Sequence, residues 1–197
     1  MPLYTLAIED ELSEAIGLKM ISRVAPNAEL ALAPFRRGGN SYLRSNIGKF
    51  VSMCRSYSVV MMTDLDHAPC AGALLTNWLG SRTLPANFFL RIAVQEVESW
   101  LLADPSAMER LLGDVASKIP ENCDSINNPK QLVLQLARRA ARDVRADLCA
   151  DPGAMTSQGL GYNRRLCELV REEWDPIRAA RRSASLQKAC LRLAQLR

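Results

Sequence analysis

The chain has 197 residues, 48% of them hydrophobic and 23% charged, with 10 Gly, 10 Pro and a formal net charge of +4. This is the composition of a globular chain, and it excludes disordered, collagen-like and low-complexity classes. No window approaches the roughly 20 apolar residues of a membrane span, and the early acids do not suit a secretory leader, so a cytoplasmic protein with no membrane partner is expected.

In chain order, the apolar run Leu3 to Ile8 predicts a first strand, which ends abruptly in Glu9, Asp10 and Glu11. Leu12, Ile16, Met20 and Val24 recur at i+4 and predict a helix that stops at Pro26. Glu29 to Ala33 alternates as a second strand, and Arg36-Arg37-Gly38-Gly39-Asn40 reads as a mobile loop. Leu43, Ile47, Phe50, Val51 and Cys54 mark one face of a second helix. Ser58 to Thr63 is the clearest buried strand, followed by Asp64-Leu65-Asp66, a helix over about Cys70 to Leu79 and a fourth strand from Phe88 to Val94. Beyond it the pattern is helical: Gln95 to Ala103, Ser106 to Leu112, Pro129 to Val144, Arg164 to Glu173 and Ser185 to Leu196. Four strands separated by helices predict an α/β fold, a mostly parallel sheet covered on both faces. The expected organisation is an α/β core over 1–113 and a helical, basic extension over 114–197 packed on it.

Six scattered cysteines, no C-x-x-C pair and a single histidine, His67, argue against a zinc site, a disulfide framework and a His-dependent nucleophile. Carboxylates are better placed. In a parallel sheet, ligands gather at the carboxyl ends of the strands. Glu9 follows the first strand, and Asp64 and Asp66 follow the third. In an extended segment the two aspartates point to one side, with Leu65 opposite. Converging carboxylates repel unless a cation neutralises them, and hard oxygen donors suit Mg²⁺ or Mn²⁺. The competing readings are an Asx-turn for the D-x-D and a helix N-terminus for the first acids. In the segment Arg91 to Asp104, helical spacing puts Glu98 on the border of an apolar stripe of Val94, Val97, Trp100 and Leu101, with Glu96 opposite. A carboxylate there needs a partner, either a metal or Arg91, or else belongs to a structural ion pair.

Charge is uneven along the chain. Residues 130–197 hold 14 of the 25 Lys and Arg but only 7 of the 21 Asp and Glu. Arg138, Arg139, Arg142 and Arg145 form a stripe that can follow a phosphate backbone. Alternatively, the basic helices are solvated faces paired with Asp143, Asp147, Glu168 and Glu172.

Glu9 and Asp64-Leu65-Asp66 resemble the acidic motifs of the Toprim domain, the topoisomerase/primase catalytic module, a Rossmann-like fold. Together with Arg91-Ile-Ala-Val-Gln-Glu-Val-Glu-Ser-Trp-Leu-Leu-Ala-Asp104, they look like the bacterial family catalogued as domain of unknown function forty-two seventy-six. The likeness spans about Leu3 to Asp104, with weaker echoes around Asn128-Pro129-Lys130. That family is akin to the nuclease part of the overcoming-lysogenization-defect proteins and is often encoded beside an ATPase of the structural-maintenance type. The resemblance implies Glu9, Asp64 and Asp66 as Mg²⁺ or Mn²⁺ ligands. Toprim domains usually place Gly after the first Glu, where this chain has Asp10, so Glu11 is the alternative first ligand. The expected function is a metal-dependent phosphodiester hydrolase acting on DNA or RNA, in phage defence beside an ATPase partner. Glu9, Asp64, Asp66 and Glu98 would be its catalytic residues, and Arg138, Arg139, Arg142 and Arg145 its nucleic-acid contacts. The alternative is a non-catalytic interaction subunit with a degenerate Toprim-like core.

Overall fold

The computed structural model describes residues 1–36 and 38–196. Strand β1 (Leu3–Ile8) is central, with β4 (Ser58–Asp64) on one side and β5 (Phe88–Ala93) beyond β4. On the other edge of β1, two short strands pair in succession: β2 (Glu29–Leu30) opposite Leu3 and Tyr4, and β3 (Phe35–Arg36) opposite Ala7 and Ile8. All pairings are parallel. No helix among the described residues is long and apolar enough to cross a membrane.

Both faces of the sheet are covered, and the alternation of side chains along the strands sorts the core into two clusters. On one face, Ala7, Val59, Met61, Phe88 and Leu90 meet Leu43 of α2 (Gly39–Ser45) and Ile47 and Phe50 of α3 (Ile47–Met53). Leu75 and Trp78 of α4 (Ala71–Leu79) pack against the same cluster. On the other face, Tyr4, Leu6, Ile8, Val60, Met62 and Phe89 meet Leu12, Ile16 and Met20 of α1 (Glu11–Val24). Helix α1 lies close to the sheet because Gly17 has no side chain: a Cβ there would sit 3.0 Å from Met62 Sδ.

The remaining helices join this second cluster: α5 (Glu98–Leu102), α6 (Pro105–Leu112), α7 (Pro129–Ala137), α8 (Arg142–Leu148), α9 (Tyr162–Glu172), α10 (Pro176–Ala179) and α11 (Ala184–Leu193). Leu166 and Val170 of α9 and Leu186 and Leu193 of α11 share one continuous core with α1 and β1. Asp104 ties the layer together. It is fully buried, caps α6 through Ser106 N and Ala107 N, accepts from Asp175 N, and receives Arg178 Nε and Nη2 at 2.5 and 2.6 Å.

Five local expectations are corrected. The second strand covers only Glu29–Leu30, and a fifth strand, Phe35–Arg36, lies partly within the expected loop. Phe35 is drawn onto the sheet by an edge-to-face contact with Phe50, ring centroids 5.5 Å apart. Gly39 and Asn40 open α2, and Arg37 lies outside the described residues. The single helix expected to carry Leu43 and Phe50 divides at Asn46, whose side-chain amide donates to Tyr42 O at 2.9 Å and competes with the helical ladder. The helix expected from Gln95 begins only at Glu98, because Gln95 takes a left-handed φ of 65°. The helix expected over Pro129 to Val144 divides into α7 and α8, as Ala141 turns extended and both segments bury their own apolar faces.

Candidate functional site

The three acids after β1 do different work. Asp10 caps α1, its carboxylate accepting from Ser13 N at 2.8 Å. Glu11, in the first helical turn, pairs with Arg36 at 3.3 Å. Glu9 turns onto the sheet edge. The register Ala7 opposite Met61 brings Glu9 level with Thr63, and Glu9 Oε1 accepts from Thr63 Oγ1 at 2.5 Å and from Asp64 N at 3.0 Å.

Asp64 is the last residue of β4, and its Oδ1 accepts from Val97 N at 3.0 Å. Burial raises its carboxyl well above the ordinary range, and the charges of Glu9, Glu98, Asp66 and Asp10 push it further. Glu9 is also raised, chiefly by burial, although the bonds from Thr63 and Asp64 favour its charged form.

Asp66 does not flank Leu65 in an extended strand. It leaves β4 in a left-handed conformation, φ 48°, with its N–H donating to Gln95 O at 3.0 Å. The alternation rule ends with the strand, so Asp66 is carried aside, where Oδ2 accepts from Asn40 Nδ2 at 2.8 Å.

Glu98 is 4% exposed and opens α5, a short helix whose residues are all buried. Its partners are not Arg91. Tyr162 OH donates to Glu98 Oε1 at 3.0 Å, and Lys130 Nζ lies 3.9 Å from the same oxygen and 5.8 Å from the Tyr162 ring centre. Burial raises the Glu98 carboxyl, with Lys130 opposing. Arg91 stays on β5 opposite Met62, with Nε buried and without a hydrogen-bond partner. Glu96 accepts from Lys130 N at 3.0 Å, fixing the start of α7 and hence the position of the lysine.

Lys130 and Tyr162 are the residues that sequence reasoning passed over. Lys130 is the only lysine between Lys118 and Lys188, and it sits in the Asn128-Pro129-Lys130 echo. Nothing in the local pattern connects either residue to Glu98, which is 32 and 64 positions away.

Arg138, Arg139, Arg142 and Arg145 are exposed, and none forms an ion pair with a described residue. Arg164 and Arg165, in contrast, are tied to Asp147 and Asp143. The free arginines start at Arg138, the C-cap of α7, eight residues from Lys130 and about 12 Å away at the helical rise.

Glu9, Asp64 and Asp66 offer hard oxygens: among the described residues Glu9 Oε2, Asp64 Oδ2 and Asp66 Oδ1 accept no hydrogen bond. No three His, Cys, Asp or Glu side chains among the described residues stand close enough to enclose a metal ion. Any cation at this edge would be held through one or two of these carboxylates, with water completing the shell. No family model matches the chain, and no match emerges from the curated proteins or the solved structures.

Proposed function

We propose that the protein is a metal-dependent phosphodiester hydrolase of Toprim-like fold, acting on nucleic acid. The observation that carries this reading is the pair Glu9 and Asp64 at the carboxyl ends of adjacent parallel strands, the Glu9 carboxylate accepting from the Asp64 backbone N–H. Such a pair is repulsive by itself, and no arginine or lysine forms an ion pair with either member among the described residues. A divalent ion, Mg²⁺ or Mn²⁺, held by Glu9 and Asp64 would activate water and stabilise the leaving oxygen of an in-line displacement. Glu98 would orient Lys130, and the ammonium would bear on the substrate's phosphate charge. The free arginines that follow α7 and lie on α8 would follow the nucleic-acid backbone.

A second reading, an interaction subunit with a degenerate Toprim-like core working beside an ATPase, draws on one observation: among the described residues no three His, Cys, Asp or Glu side chains stand close enough to enclose a metal ion. Melting with and without Mn²⁺, paired with cleavage of single-stranded DNA and RNA, separates the two. A Mn²⁺-dependent rise in Tm with metal-stimulated cleavage supports the hydrolase. Neither effect, with a chelator-insensitive Tm, supports the subunit.

A further inference from the structure

An open groove of about 570 Å³ lies beside Asp66, between α2, the loop that leads into α4, and one face of α4. Leu74 and Trp78, one helical turn apart on α4, form an apolar wall, and Asn77 stands beside them. Arg44 and His67 supply polar groups at the mouth.

Among the described residues, the side chains of Arg44, His67 and Asn77 make no hydrogen bond or ion pair. The three tryptophans differ in the same way. Trp100 and Trp174 are fully buried, and their indole N–H groups donate to Ser185 Oγ and Trp100 O. Trp78 is only partly buried, and its N–H has no described acceptor. An indole at a groove wall with an unused donor, flanked by a free amide and a free guanidinium, matches a flat heteroaromatic ring carrying a phosphate.

We propose that this groove seats one unpaired nucleobase of a single-stranded substrate, stacked on Trp78, with Arg44 on its phosphate and the next phosphodiester at Glu9 and Asp64. The inference rests on the hydrolase reading for the identity of the chain being cut. It adds the strandedness: a base inside a duplex cannot enter a groove beside the acids without leaving its stack. Asn40 and Asp66 line the groove and are joined by a 2.8 Å hydrogen bond, and a Cβ on the adjoining Gly39 would lie 3.9 Å from Glu9 Oε2, so the groove adjoins the edge that carries Glu9.

The test uses the full chain in a chelator, so that binding is read without metal or cleavage. The probes are a five-residue oligothymidylate and an abasic strand of equal length and charge, followed by tryptophan fluorescence. Trp78 is the tryptophan a ligand can reach. The expected result is quenching by the oligothymidylate and about tenfold tighter binding than the abasic strand. Trp78→Leu should abolish that preference, and Asn77→Ala, an exposed change that leaves the core intact, should reduce it severalfold. Equal affinity for the two strands in the wild type overturns the groove, whatever Mn²⁺ does to Tm. A preference that survives in both variants also overturns it. A base preference lost in the variants supports the groove even where Mn²⁺ leaves Tm unchanged, in which case it is the hydrolase reading that fails.

Discussion

The backbone N–H of Asp64 donates to Glu9 Oε1 at 3.0 Å, so the carboxylate after one strand is anchored on the residue that ends its neighbour. Parallel pairing makes this possible, because adjacent strands finish at the same edge. Both acids are held in a setting that disfavours their charge.

Asp64→Asn should therefore stabilise the chelated protein near neutral pH. The amide keeps an acceptor for Val97 N and removes the charge that burial and Glu9 oppose. Each kcal/mol gained raises Tm by about 2–4 °C at this size. The same variant should lose the Mn²⁺-dependent gain of the wild type. Calorimetry with and without Mn²⁺ checks both, and equal metal gains in the two proteins would remove Asp64 from the site.

The stabilisation should depend on pH with a definite sign. Asp64, Glu9 and Glu98 have raised carboxyls in the folded state, so across that window the native chain binds more protons than the unfolded chain. Stability is then present below the ordinary carboxyl range and is lost as pH rises through the raised values. The Tm advantage of Asp64→Asn should be smallest near about pH 4 and largest near about pH 8. A constant difference across that range would separate the effect from Asp64 ionisation.

Tyr162→Phe should cost about 1–3 kcal/mol, because it strips a donor from a buried carboxylate. The cost should shrink in a Glu98→Gln background, since the uncharged amide depends less on that donor. A double-mutant cycle by urea unfolding measures the coupling, and a coupling near zero would make the Tyr162 bond incidental.

Asp104→Ala should be the most destabilising single change among those named, about 3–5 kcal/mol, with no direct effect on the acidic pair. It leaves Arg178 without its carboxylate and uncaps α6. Urea unfolding reads the loss. A cost under about 1 kcal/mol would place the pair among weak surface bridges.

Replacing Arg138, Arg139, Arg142 and Arg145 together with Gln should lower the salt dependence of oligonucleotide binding while leaving Tm within a few degrees. Four lost contacts to a single strand would reduce the slope of log affinity against log salt by about 3. An unchanged slope would return these arginines to surface solvation.

Periodicity alone carried the parallel α/β core, because strands buried on both faces must be continuously apolar, as Ser58 to Thr63 is. It also placed Glu98 on the border of an apolar stripe, although the burial of the whole of α5 is a tertiary outcome. The position of Glu9 at the end of β1 followed from where an apolar run meets charge. What it did not contain are contacts made across the chain. Whether Glu9 or Glu11 faces Asp64 depends on Asp10 taking the helix cap and Arg36 drawing Glu11 away. Asp66 leaves the line of Asp64 because the backbone turns left-handed against Gln95, 29 residues later. Phe35 becomes a strand residue only once Phe50 is packed beneath it. Lys130 and Tyr162 reach Glu98 because α7 and α9 dock on α5 and α1, and no local pattern encodes a neighbour brought in by the closing of a core.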